Sequence, residues 1–162
     1  MTTIPVPPIY SIRHKPARTP PVGRIGALAV SLISLSLLTT AALLKPDPSG
    51  MGTHTALGLP PCSMPRVFGI PCPTCGMTTS WSWFARGNLV ASLWVQPMGT
   101  LLALATATFF WAGLYIAVTA RPAQRLISYL PTGYIGFSLL TLALLAWVWK
   151  IYIQLHHLDG WQ

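Results

Sequence analysis

The residues with the most chemistry to offer are three cysteines, Cys62, Cys72 and Cys75, which are all the cysteines of the chain. They fall within seventeen residues, 62–78, that also hold Gly69, Pro71, Pro73, Gly76 and Thr78. Cys72 and Cys75 form a Cys-Pro-x-Cys-Gly knuckle. Such a tight turn aims two thiolates at one ion, and the glycine lets the backbone come close. Cys62 supplies a third thiol and His54 a fourth ligand, which would complete a zinc site. A second chemistry is thiol–disulfide exchange through Cys72 and Cys75, because a helix N-terminus just after the motif favours thiolate. Cys62 would then be the third, resolving thiol. In a third reading the prolines and glycines make a rigid turn that the cysteines pack or staple.

Other chemistries lack parts. The chain has two acidic residues, Asp47 and Asp159. A paired-carboxylate mechanism would need them to meet from opposite ends of the chain. No Ser-His-Asp arrangement is visible in the local sequence, so the machinery of hydrolysis is missing. His156 and His157 are adjacent and would face different ways on a helix, which disfavours a clamp. The sequence is therefore read as a non-enzymatic component whose Cys62/Cys72/Cys75 loop is a structural or metal-binding knot. A membrane thiol–disulfide protein using Cys72 and Cys75 is the alternative.

The elements that must position the motif are apolar. Only 7% of the residues are charged, against about 25% in soluble chains. Residues 1–24 carry six prolines with Arg13, Lys15, Arg18 and Arg24, which reads as a disordered basic tail. Residues 25–44 carry no charge, and twenty helical residues rise about 30 Å, the thickness of the hydrocarbon core. That length also exceeds the apolar region of a cleaved signal peptide. Lys45-Pro46-Asp47-Pro48 ends this span. Further spans are expected at about 98–120 and 130–150, the first opened by Pro97 and closed by Arg121-Pro122. The last would regain full length if Lys150 snorkels. The single membrane domain thus runs over 25–153, with a polar tail at 154–162.

The cysteine loop fills residues 45–96. Arg86 argues against a crossing at 77–95, so two short interfacial helices are expected there. Thr78 or Thr79 is the expected cap of the first, and Asn88 of the second. A re-entrant element is the alternative. Trp81, Trp83 and Trp94 read as an interfacial aromatic belt. The expected fold is all-α, with three transmembrane helices, a cysteine-bearing loop and short interfacial helices.

The net charge of +8 is spread along the chain, which suits lipid headgroups and topology better than nucleic acid. The expected partners are the bilayer and an unidentified membrane protein that docks at the loop. Arg13, Lys15, Arg18, Arg24, Arg121 and Arg125 fall on one side of the three-span arrangement, and Lys45, Arg66, Arg86 and Lys150 on the other. The richer side, with the N-terminus, is expected in the cytoplasm.

The run from Gly69 to Thr78, preceded by Cys62, resembles the core motif of a bacterial membrane family catalogued as domain of unknown function 2752. The resemblance extends over about residues 60–100. It includes Gly87, Ala91 and Gln96-Pro97, at the places of a downstream Gly, Ala and Asn-Pro. Members commonly have Arg where this chain has Thr79, and Asn where it has Gln96. The resemblance implies a small multi-pass protein of the bacterial inner membrane, and no particular activity.

Overall fold

The computed structural model describes residues 19–121 and 132–158. Most of the basic tail, the 122–131 connection and Asp159 lie outside the described residues. The described chain is all-helical. α1 spans Pro21–Leu43, α2 Met64–Phe68, α3 Met77–Ala85, α4 Leu89–Val95, α5 Pro97–Thr119 and α6 Thr132–Leu155, and a 3-10 turn covers Thr53–Leu57.

Three of these helices, α1, α5 and α6, are long and apolar enough to cross a membrane. At 23, 23 and 24 residues each rises about 35 Å, enough for a hydrocarbon core of about 30 Å. Proline starts two of them. Pro21 and Pro97 stand in the first turns of α1 and α5, where an N–H would have no intrahelical partner. Lys45-Pro46 follows α1 directly. α5 ends on Ala120, in the left-handed region at φ 55°, just before Arg121.

The burial pattern is inverted relative to a water-soluble bundle. Large apolar side chains such as Ile33, Leu104, Trp111, Phe137 and Leu145 are exposed, while the buried set is mostly small or polar, as Ala41, Ala91, Ala103, Ser31, Ser34 and Thr100 are, with Val95 and Ile153 the larger apolar members. Lipid removes the penalty for outward Leu and Phe, and small residues let helices approach closely. α1 and α5 form the main helix pair. Their closest approach is at Gly113, where an added Cβ would sit 2.6 Å from the Ala27 carbonyl oxygen. Ser31 Oγ donates to the Phe110 carbonyl at 3.1 Å. Arg24 Nε and Nη2 donate to the Ala117 carbonyl at 3.0 and 2.8 Å.

The helical pair α3–α4 packs on α5, and α3 also on α1. A buried hydroxyl cluster joins these elements. Ser80 Oγ lies 3.0 Å from Ser92 Oγ and 3.1 Å from Thr100 Oγ1, and donates to the Gln96 carbonyl at 3.1 Å. Asn88 caps α4, its side chain accepting the Ala91 N–H at 3.0 Å. α3 starts differently from expectation. Gly76 is its N-cap with no side-chain cap. Thr79 instead meets the Thr53 hydroxyl at 2.8 Å, because the αL glycine turns the chain into the helix before Thr78 and Thr79 are reached.

α6 holds the rest mainly through long polar reaches. Trp147 Nε1 donates to the Pro71 carbonyl at 2.9 Å, and Trp149 Nε1 to the Trp94 carbonyl at 2.9 Å. Trp94 Nε1 donates in turn to the Leu158 carbonyl at 2.9 Å. Lys150 does not snorkel to water. It is fully buried and its Nζ donates to the Gly50 carbonyl at 3.3 Å. The loop backbone offers the ammonium a carbonyl inside the fold, which replaces the route to the surface.

Candidate thiol centre

The loop after α1 is a series of turns set by local residues. Asp47 Oδ1 accepts from the Ser49 N–H at 2.8 Å and from its hydroxyl at 2.7 Å, an Asx turn of the kind that short polar side chains make. Pro60-Pro61 then lead to Cys62. α2 follows and ends on Gly69 at φ 70°, in the left-handed conformation that glycine adopts without penalty. This one-turn helix folds the chain back, so residues ten apart meet. Cys62 Sγ donates to Cys72 Sγ at 3.5 Å.

Pro71 and Pro73 flank Cys72 and fix its backbone. The Cys75 N–H donates to the Cys72 carbonyl at 3.0 Å, and the Met77 N–H to the Thr74 carbonyl at 3.1 Å. The turn therefore closes on itself and brings the Cys72 and Cys75 sulfurs to 2.9 Å. Gly76 completes it at φ 84°, where an added Cβ would lie 2.8 Å from the Gly50 carbonyl oxygen. The glycine thus serves both conformation and contact.

All three sulfurs lie within 4.8 Å of one another. A tetrahedral zinc–thiolate site with bonds near 2.3 Å has sulfur–sulfur edges of about 3.8 Å. The Cys62–Cys72 and Cys72–Cys75 edges, 3.5 and 2.9 Å, are shorter than that, so the donor set fits a thiophilic ion with the sulfurs spreading by up to about 1 Å. His54 lines the same cavity as the thiols but stands outside the cluster of mutually close ligand atoms. Its Nε2 lies 3.2 Å from the Pro60 carbonyl oxygen.

The thiols are not equivalent. Cys75 is buried, at 6% exposure, whereas Cys62 and Cys72 are half-buried. Burial, together with hydrogen bonding to Cys72 and Cys62, pushes the Cys75 thiol up to about 12. Burial also acts to raise Cys72, but hydrogen bonds from Cys75, Thr74 and Cys62 outweigh it and hold that thiol below its ordinary 9.0. The Thr74 hydroxyl lies 3.3 Å from Cys72 Sγ. The arrangement concentrates anionic character on the middle cysteine of the three.

Residues beyond the motif hold it in place. Gln96 is fully buried and its Nε2 donates to the Pro73 carbonyl at 2.9 Å. Trp147 and Lys150 bind the Pro71 and Gly50 carbonyls, as above. None of these three supporting contacts was foreseen from the sequence. The available signals were a lysine within an apolar helix and a polar glutamine directly before Pro97. Of the three indoles that donate to backbone carbonyls, Trp147 alone reaches the cysteine loop, while Trp149 and Trp94 tie α6 and the residues after it to α4. Beside the thiols lies a cavity of about 690 Å³, lined by the last turns of α1, the 3-10 turn, the cysteine loop and the start of α3.

Fold and site together define an all-helical protein with three helices fit to cross a membrane and a three-thiol cluster in the loop after the first. Residues 62–111 match the family model described as "Protein of unknown function (DUF2752)". The resemblance read from the cysteine motif is borne out over that stretch. No curated protein matches the chain, and no solved structure matches it.

Proposed function

We propose that this protein is a non-enzymatic membrane component whose loop holds one thiophilic ion, zinc by preference, on Cys62, Cys72 and Cys75. The observation that carries this reading is the triangle of three sulfurs within 4.8 Å on a self-closed knuckle. His54 is the proposed fourth ligand, reaching the cluster by side-chain rotation within the shared cavity. Four ligands close a structural site, whereas three leave a position open. The ion would tie the loop to the start of α3 and so fix the surface that a membrane partner meets. Purified protein in lipid nanodiscs should carry close to one zinc per chain, and Cys72→Ser should lose it. Metal-free native protein whose thermal unfolding is indifferent to a chelator would sink this reading.

A second reading is favoured by one contact, the 2.9 Å between Cys72 and Cys75 sulfurs. In thiol–disulfide exchange these two thiols would give two electrons and two protons to a partner's disulfide, leaving a Cys72–Cys75 bond and two partner thiols. Metal-free protein that traps a mixed disulfide through Cys72 in the Cys75→Ser variant would move the assignment here.

The site is placed on the outer side of a bacterial inner membrane, with the N-terminus in the cytoplasm. The six Lys/Arg of the N-terminal side against four on the other support this. In intact cells, Ser49→Cys in a cysteine-free background should react with an impermeant thiol reagent. Reaction only after lysis would reverse the orientation.

A further inference from the structure

We infer that the cavity beside the thiols is a binding site for a neutral, lipophilic molecule of the quinone class drawn from the bilayer. This goes beyond the metal reading and does not depend on it. The cavity, of about 690 Å³, is within the range of sites that enclose a small organic ligand, about 300–1,000 Å³.

Its position names the source. Leu37, Ala41 and Leu44 line it from the end of α1, a helix fit to cross the membrane. Leu57 and Leu59 line it from the loop. Leu37, Leu57 and Leu59 are also about half exposed, at 47%, 50% and 52%. The apolar wall is therefore continuous with the lipid-facing flank of α1, and an occupant can pass from hydrocarbon into the cavity without crossing water.

Its chemistry names the class. Among the described residues that line the cavity there is no Asp, Glu, Lys or Arg. An anionic headgroup or fatty carboxylate would lose its hydration there without gaining a lysine or arginine partner. The three cysteines, His54, Thr78 and Trp81 also line it. A threonine hydroxyl donates a hydrogen bond whether the sulfurs are free or metal-bound, and sulfur and indole both favour a flat aromatic face. A planar head with carbonyl acceptors and an apolar tail meets every one of these features. A diacylglycerol shares the neutrality and the carbonyls but has no ring for Trp81 and the thiols.

The test uses the full chain in nanodiscs and a photoreactive short-tail quinone analogue as probe. Labelling should saturate at one probe per chain and map to the peptides holding Leu57, Leu59 or Trp81. Unlabelled short-tail quinone should displace it, and diacylglycerol at the same concentration should not. Leu59→Trp, which fills the cavity from a half-exposed position, should weaken binding at least tenfold, and Leu57→Trp should do the same from a second position. Val118→Trp, on the exposed side of α5, should leave it within twofold. Labelling that does not saturate, or that spreads over the lipid-facing helices, would overturn the site. Equal displacement by diacylglycerol would overturn the ligand class, and unchanged binding in both leucine variants would overturn the cavity as its location.

Discussion

Replacing Gly76 by alanine tests whether the knuckle is held by one backbone position. Gly76 has φ 84° and an added Cβ would stand 2.8 Å from the Gly50 carbonyl oxygen, 3.2 Å from Val95 Cγ1 and 3.2 Å from Lys150 Nζ. Two costs follow. Left-handed backbone costs a residue with a Cβ about 1–2 kcal/mol. The closest neighbour is backbone, so the loop must shift, at a further cost of about 1–3 kcal/mol. The sum is about 2–5 kcal/mol, or roughly 30- to 4,000-fold in the equilibrium between closed and open loop. Cys75 reports that equilibrium, because at 6% exposure it must be uncovered before a reagent reaches it. In metal-free protein at fixed pH, Gly76→Ala should speed Cys75 alkylation by at least about 30-fold. Gly58→Ala is the control: it has φ 77° but open space around it. It should carry the conformational cost alone and leave the Cys75 rate within about fivefold, since Gly58 lies outside the knuckle. A Cys75 rate unchanged within threefold in Gly76→Ala, judged on the same tenfold-per-1.4 kcal/mol scale, would refute the claim that this contact holds the motif.

Three further outcomes are expected. In metal-free protein Cys72, held below its ordinary 9.0 by the hydrogen bonds it receives, should be alkylated first as pH is raised. Cys75, raised to about 12 by burial, should react last. The folded state then keeps the Cys75 proton more tightly than the unfolded state. Stability present below pH 9 is therefore lost as pH rises toward 12, and Cys75→Ala should flatten that slope in chemical denaturation. Gly113→Ala should drive α1 from α5, since its Cβ would lie 2.6 Å from the Ala27 carbonyl oxygen. The expected loss is about 1–3 kcal/mol, read as a lower thermal midpoint, and an unaltered midpoint would count against close packing there.

The sequence by itself determined the elements. Uncharged runs bounded by Lys45-Pro46 and by Pro97 and Arg121 mark two spans, because charge and proline are costly inside an apolar helix whatever surrounds it. The knuckle was legible for the same local reason: proline before and after Cys72 and glycine after Cys75 specify a turn without help from the rest of the chain. Asn88 as a cap is another local effect, and it holds. Thr78 and Thr79 were misplaced as caps because a cap depends on where the helix begins, and that was set by the left-handed turn at Gly76.

What only the tertiary structure decided is which distant groups surround the thiols. Cys62 reaches Cys72 because α2 turns the chain back, and the spacing of the cysteines does not specify that turn. Gln96, Trp147 and Lys150 reach carbonyls 23, 76 and 100 residues away, and no spacing rule connects residues so far apart. Lys150 shows the difference most directly. In sequence it is a cation near the end of an apolar helix, free to extend to water. In the fold the Gly50 carbonyl lies within hydrogen-bond reach, so burial and a backbone acceptor take the place of solvent. The cavity is a tertiary product too, since its walls come from α1, the loop and α3, and its lining without Asp, Glu, Lys or Arg appears only when those three meet.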